Sequence, residues 1–404
     1  MTKYYYFLAN FPCYSETFIL NELVELKRRG DSPRIFALKK PKEPVTHEEA
    51  KPFLNDTVYA LSVLNPAVFV AQVYFIFRAP FAYFGILFDI LKSYNGRIEI
   101  LLGNILVFLK AAYFAFLRRK EEVTHIHAHF ANYPALAALA VSRLRNIPFT
   151  FTCHAHDIFY DTAMLDIKVR RSKACFAISR FNRDYILGKF PCITPEKIKV
   201  LHCGIAPEKF PFLPYRRIAD KMRLISVGRL VPTKGFDDLI RACRVLKDNG
   251  VRFSCDIAGH GPQEDDLDNL VVSLGLKEDV ISHGALNSRD LIELYKKSDV
   301  LVLAAKKTNS RDVLDGIPVV LMEAMSMGLV VISTRVSGIP ELIDDGINGI
   351  LVNEGDYRSL AEAIIKLTRG QCDIKSLREA ARDKINKEFS IARQVDELRR
   401  YFPL

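Results

Sequence analysis

Short apolar runs rich in β-branched residues alternate with longer amphipathic stretches along both halves of the chain, and this alternation constrains the fold more than any other feature. Between Ala219 and Asn353 the runs are Arg223–Val227, Phe253–Ala258, Val300–Leu303 and Val330–Ser333, separated by stretches of about ten to fifteen residues with helical periodicity. The first half repeats the pattern in Tyr4–Leu8, Arg34–Leu38, Thr124–His127, Phe149–Cys153 and Ala174–Ile178. A strand joined to its neighbour through a helix returns in the same direction, so each half predicts a doubly wound parallel sheet. At 404 residues the chain is too long for one ordinary core. Pro207, Pro211 and Pro214 mark a joint near residues 204–221. The expected architecture is therefore α/β, with two Rossmann-like doubly wound domains at 1–205 and 219–375 facing one another across a cleft, and a last helical segment at 376–404.

Composition narrows the partners. Hydrophobic residues make up 49% and charged residues 26%, as in a globular protein. The net charge of +10 favours an anionic partner: a nucleotide diphosphate, a lipid phosphate or an acidic membrane surface. The cations are spread along the chain and no helix-turn-helix, zinc-finger or RNP-type motif occurs, which argues against nucleic acid. The eight cysteines include no Cys-x-x-Cys pair; Cys153, Cys175 and Cys255 lie in strand-like runs, as buried thiols of a reducing compartment do. Residues 1–10 lack the apolar core and cleavage site of a signal peptide and read as a first buried strand, so a cytoplasmic location is expected.

Chemistry concentrates in a few segments. In the run Asp315-Gly316-Ile317-Pro318-Val319-Val320-Leu321-Met322-Glu323, a loop carrying Asp315 enters a helix at Pro318, a suitable first helical position, and Gly328 ends it. The free amides and partial positive charge of that helix start suit an anionic diphosphate, and Glu323 in the second turn suits a ribose diol. Read alone, Asp315-Gly316 is also an ordinary turn and Glu323 an ordinary helix residue. Upstream, Leu224–Phe236 reads as strand, tight turn and helix start, with Arg229 and Lys234 five residues apart on the turn. Gly259-His260-Gly261-Pro262 follows the next strand. Five of the nine histidines fall within residues 125–156, at two adjacent strand ends that include His129, His154 and the nearby Asp157. Their spacing also permits a metal site. Ser15-Glu16-Thr17, after the first strand, reads as a helix N-terminus.

These segments, in this order, resemble the family-4 retaining glycosyltransferases of the GT-B type, over residues 1–40 and 123–370. The resemblance implies that Arg229 and Lys234 clasp the donor pyrophosphate, that Gly259, Gly316, Ile317, Pro318 and Val319 bring backbone to the donor, and that Glu323 binds its ribose. His129 is the best match to the histidine at the anomeric centre, with His127 as the alternative. Asp315 stands where the family usually has Glu, which draws the carboxylate back by about 1.5 Å, one C–C bond, and implies a donor preference of its own. Ser15, Glu16 and Thr17 resemble the Ser-Glu-Thr-Phe loop of a subset that builds exopolysaccharides; with His154 and Asp157 they are expected to face donor phosphate and acceptor. The implied activity is metal-independent transfer of a sugar, with retention, from a nucleotide diphosphate-sugar to a polysaccharide or lipid-linked glycan. No residue pair fits a double displacement, so front-face attack is expected, the leaving phosphate helping to deprotonate the acceptor. The family also implies that the last helical segment crosses back to the first domain. A nucleotide-sugar epimerase of the same architecture and a non-catalytic, membrane-associated nucleotide-sugar-binding scaffold are the other two readings.

The resemblance fails between these stretches, at Pro66–Leu117, where thirteen of the chain's 43 aromatic residues, among them Phe75, Phe77 and Phe81, occupy 52 positions. Arg78, Asp89, Lys92, Arg97 and Lys110 interrupt the segment, so no apolar run is expected to reach the roughly 18 residues of a membrane span. The segment reads either as core helices or as an aromatic-basic surface for peripheral contact with an anionic membrane.

Overall fold

The computed structural model describes residues 4–13, 16–41, 48–215, 221–308 and 316–402. The chain forms two compact units, one of Met1–Gly204 with Ile391–Leu404 and the other of Ile205–Ser390. In the first unit the strands are β1 (Tyr4–Asn10), β2 (Arg34–Lys39), β3 (Thr57–Tyr59), β4 (His125–His129), β5 (Phe149–Cys153), β6 (Ala174–Ala177) and β7 (Ile198–Val200). In the second they are β8 (Met222–Val227), β9 (Phe253–Ala258), β10 (Val280–Ser282), β11 (Val300–Leu303), β12 (Val330–Thr334) and β13 (Ile350–Val352). Every pairing is parallel, and the orders are β3-β2-β1-β4-β5-β6-β7 and β10-β9-β8-β11-β12-β13. Both sheets thus reverse their winding beside the first strand, between β1 and β4 and between β8 and β11, the doubly wound arrangement expected from the alternating pattern.

The long strands fall where the apolar runs predict them. The four three-residue strands β3, β7, β10 and β13 escape prediction, because so short a run is half exposed and carries no alternation. The last helical segment is broken. Helix Ile374–Lys384 runs into a π-helical turn, Ile385–Phe389; Ser390 is extended, and helix Ile391–Arg399 belongs to the first unit. There Arg29 pairs with Asp396, and Arg399 Nε lies 2.9 Å from Asp31, which ties this helix to helix Thr17–Arg28.

The aromatic segment forms three helices, Pro66–Arg78, Pro80–Lys92 and Ile98–Leu117. Their inner faces, with Phe75, Ile86, Phe108 and Phe114, join the first unit's core against helix Tyr133–Arg145, whose alanines permit close approach. Inside, Gln72 Nε2 donates to the carbonyls of Val68 (2.8 Å) and Leu109 (3.1 Å), while Tyr83 donates to its Oε1 at 3.1 Å, so the buried amide is satisfied at both ends. Arg143 pairs with Asp89 at 2.7 Å. Two expectations need correction. Phe75 is a core residue, unlike Phe77 and Phe81, which are exposed. Helix Ile98–Leu117, with only Glu99 and Lys110 charged, is long and apolar enough to cross a bilayer, although half of it is buried.

This division of faces makes a direct prediction. Phe108→Ala empties a fully buried site and is expected to cost about 3–5 kcal/mol in urea unfolding, whereas Phe81→Ala, on the open face, is expected to stay within about 0.5 kcal/mol.

Candidate functional site

In the second unit the candidate residues sit on loops beyond the carboxyl ends of β8, β9 and β11, around the switch point. The loops are packed backbone to backbone. Gly259 has φ +155°, and a Cβ there would stand 1.9 Å from the Gly228 carbonyl oxygen; at Gly235, with φ +66°, it would stand 1.8 Å from that of Ala304. Leu230 N donates to His260 O at 3.1 Å, closing the turns after β8 and β9 on one another. The Lys234 stem folds back over Gly228, about where a Cβ would find its Cδ and Cε at 3.6 Å. Arg229 is exposed and its guanidinium makes no ion pair among the described residues. The Arg and Lys of this turn are thus held close along a loop whose path is fixed by glycine.

Sequence reasoning missed the clamp beneath this loop. Lys306, just past β11, places its Nζ at 2.7 and 2.8 Å from Asp237 and 2.9 Å from Asp238, and its amide donates to Thr233 O at 3.0 Å. The available signal was the acidic pair at the start of helix Phe236–Asp248, which stabilises the helix dipole and also receives the lysine.

After β11 the chain returns through Gly316, Ile317 and Pro318, all buried, with Ile317 in the same apolar cluster as Val227 and Leu303. Pro318 is the cap residue, with φ −65° and ψ 125°, and the helix is Val319–Met327, one residue later than expected; Gly328 at φ +80° ends it. Leu321 N donates to the cap carbonyl of Pro318 at 3.2 Å, which leaves the amides of Val319 and Val320 with no acceptor inside the helix. Glu323 lies one turn on, half-buried, and accepts from Tyr295 Oη at 3.0 Å. Burial pushes the Glu323 carboxyl up to about 7, partly opposed by the Tyr295 hydrogen bond, and pushes the Tyr295 phenol well above its usual range. Asp315 lies outside the described residues.

In the first unit His125, His127 and His129 share one face of β4, as alternation requires. Their partners distinguish them. His127 is fully enclosed, with Nδ1 2.9 Å from Thr150 Oγ1 and Nε2 3.3 Å from Thr152 Oγ1, and burial holds its pKa well below the imidazole range. His125 also meets Thr150 Oγ1, at 2.9 Å, and burial lowers it to about 3. His129, 2% exposed, instead meets a carboxylate: its Nε2 is 2.9 Å from Glu22 Oε1, which also accepts from Tyr6 Oη at 2.7 Å. His129 Nδ1 is 3.3 Å from His154 Nε2. His154 is held neutral by burial, packed between the rings of Phe18 (4.7 Å) and Phe130 (4.5 Å).

Asp157, which the resemblance sets toward donor phosphate and acceptor, is bonded from within. Its carboxylate accepts from the amides of His154 (2.8 and 3.1 Å) and Ala131, so it fixes the loops after β4 and β5 from inside, with no exposure of its own. Phe130, directly after His129, has φ +76°, a strained value for a phenylalanine, and its amide donates to Thr152 O at 2.8 Å. Glu16 stands at the cap position of helix Thr17–Arg28 without capping it, and burial pushes its carboxyl up to about 7. Ser15 lies outside the described residues. Glu22 and Tyr6 were not found from sequence; a carboxylate among Ile19, Leu20 and Leu23 on a helix's buried stripe was the signal.

Glu22, His127 and His129 bring ligand-type atoms within 4.8 Å of one another. Those atoms are already engaged, by Tyr6, by each other and by the threonines, so the set reads as a hydrogen-bonded network.

Glu323 gives a pH prediction. Its pKa rises from an ordinary 4.5 to about 7 in the fold, so between these values the native state keeps a proton that the unfolded chain has lost. Stability therefore falls as pH rises from about 4.5 to about 7 and levels off above. Urea unfolding of wild type and Glu323→Gln at pH 5 and pH 8 is expected to show wild type losing ground to the variant at the higher pH; parallel behaviour would contradict the burial of this carboxyl.

Comparison with known proteins adds the family. The Glycosyltransferase Family 4 profile matches residues 15–209, and the profile of Glycosyl transferases group 1 matches residues 215–384. The chain is 37% identical over 195 residues to the amylovoran biosynthesis glycosyltransferase AmsK of Erwinia amylovora, covering 48% of each chain. It is 36% identical over 208 residues to the putative colanic acid biosynthesis glycosyltransferase WcaL of Salmonella typhimurium, covering 50% of this chain and 51% of that one. These matches span about half the length of the curated relatives. Among solved structures, a glycosyltransferase from Rickettsia africae superposes with TM-score 0.72 at 20% identity, over 99% of this chain and 97% of that one. Anabaena HepE in complex with UDP does so with TM-score 0.72 at 16% identity, over 99% of both. The two profiles take up the two doubly wound units in turn, and on that ground the chain belongs to the family-4 glycosyltransferases, with the two-domain Rossmann-like GT-B fold.

Proposed function

We propose that the protein transfers a sugar, with retention, from a nucleoside diphosphate-sugar to a hydroxyl of a surface polysaccharide or lipid-linked glycan. The observation that carries the reading is the convergence of the Arg229–Lys234 turn, the Gly259 turn and the Gly316–Glu323 helix start on the carboxyl ends of adjacent strands at the second unit's switch point. UDP and UDP-glucose, bound in the HepE structures, make UDP-sugars the first donors to test. The names of AmsK and WcaL point to an exopolysaccharide as the acceptor class.

The chemistry follows from charge. Cleavage of the glycosyl–phosphate bond leaves a diphosphate whose growing negative charge must be met as it develops. In this reading Arg229, Lys234 and the opening amides of helix Val319–Met327 meet it with fixed positive charge and need no metal. Glu323, ionised above about pH 7 and steadied by Tyr295, accepts from the ribose hydroxyls. His129, with its ring orientation set by Glu22 and His154, steadies the donor at its anomeric carbon. Asp315 contacts the donor sugar. The acceptor hydroxyl attacks from the face the diphosphate leaves, passing its proton to a departing phosphate oxygen, which retains configuration.

Arg229→Ala and Lys234→Ala are each expected to lower kcat/KM by about 2 to 4 kcal/mol, the range for removing one preorganised partner of the transition state. The measurement is acceptor-dependent release of nucleoside diphosphate. Turnover within tenfold of wild type in both variants would remove these residues from the diphosphate site. Release independent of acceptor, or donor binding with no turnover, would remove the transferase reading itself.

A further inference from the structure

The three helices of the aromatic segment are apolar on two faces, and only one faces the core. On the other, Phe81 is 94% exposed, Phe77 81%, Phe69 69%, Phe88 63% and Phe84 54%. At about 200 Å² for a whole side chain, these five rings alone expose on the order of 700 Å². Patches on ordinary monomers stay within about 300–600 Å², and the larger ones are generally functional. The exposed positions fall in stripes, at 69, 73 and 77 on the first helix and at 81, 84, 88 and 91 on the second, each opposite the buried stripe. Ala79 separates the two helices, and their axes bend by 113°, so Phe77 and Phe81 flank the apex of a corner.

Charge decides what fits this face. Residues 61–120 hold seven cations and two carboxylates, and one of the two, Asp89, is spent on Arg143. Arg78 beside Phe77 and Lys92 beside Leu91 are exposed and form no ion pair among the described residues. A second copy docking through the same face by two-fold symmetry would set these cations against themselves, which opposes association. An anionic bilayer satisfies both features, taking the rings at the level of its acyl boundary and the cations among its headgroups. We propose that the outer face of helices Pro66–Arg78 and Pro80–Lys92 is a docking surface for an anionic lipid bilayer, entered at the Phe77–Phe81 corner.

The test uses the full chain, floated with vesicles of phosphatidylcholine alone or mixed with phosphatidylglycerol. Wild type is expected to float with the anionic vesicles, Phe77→Ser/Phe81→Ser to lose about tenfold or more of that binding, and Arg78→Glu/Lys92→Glu to lose the preference for phosphatidylglycerol. The protein contains no tryptophan, so Phe81→Trp supplies a single fluorescent reporter that does not depend on a disruptive change. The emission of this variant is expected to shift to the blue on adding anionic vesicles and to be quenched by brominated lipid. The proposal is overturned if wild type fails to float, if the emission of the Phe81→Trp variant is unmoved, or if Phe77→Ser/Phe81→Ser floats as wild type does. It is equally overturned if those two serine changes convert a dimer into a monomer with no vesicle binding in either form, which would assign the face to a second copy.

Discussion

Each sheet winds outward in both directions from its first strand, and everything that can perform chemistry here depends on that reversal. At the switch point the loops leaving two neighbouring strands depart in opposite directions and open a gap that the sheet itself cannot fill. One such gap, between β8 and β11, holds the Arg229–Lys234 turn and the helix start at Val319. The other, between β1 and β4, holds Glu16, at the start of helix Thr17–Arg28, and His129. The same reversal explains where glycine is indispensable: the loops around the second unit's gap approach so closely that Gly235 and Gly259 have no room for a Cβ.

The two gaps are furnished differently. In the second unit charge lies outward, with Arg229 exposed, and the supporting ion pairs of Lys306 with Asp237 and Asp238 lie underneath. Fixing the loop from below leaves the exposed Arg229 open to an incoming anion. In the first unit the polar groups lie inside. Tyr6, Glu22, His129 and His154 are buried together, and such a cluster is tolerated only because each member finds a partner. A carboxylate and a phenol on one side and a neutral imidazole on the other hold the His129 ring in one orientation. Phe130 adds a strained backbone at the same place, kept there by its bond to Thr152 and by the Asp157 cap on Ala131.

The strand framework and most loops of the candidate site were legible in the sequence, because long β-branched runs and glycine turns are local signals. Partners were not. Alternation placed His125, His127 and His129 on one face, but what separates them is Thr150 and Thr152 on the next strand and Glu22, 107 residues away on a helix. Lys306 was illegible for the same reason, since its acidic partners are 68 and 69 residues distant. The three-residue strands and the one-residue shift of the helix start from Pro318 to Val319 reflect signals too short to fix a boundary.

The aromatic segment fails the reading in another way. A helix with one apolar stripe announces its core face; a helix apolar on two sides announces nothing, and composition alone then leaves core helices and a surface for peripheral membrane contact both open. Packing breaks the tie. Phe108, Ala111, Ala112 and Phe114 of helix Ile98–Leu117 are spent on the first unit's core, against the alanines of helix Tyr133–Arg145. For that helix to cross a bilayer these groups would have to leave an apolar contact they already have, gaining nothing from lipid tails that are equally apolar. The core would lose its filling in exchange. Hydrophobicity sufficient for a span is here better accounted for by two half-uses, one face for the core and the other left at the surface.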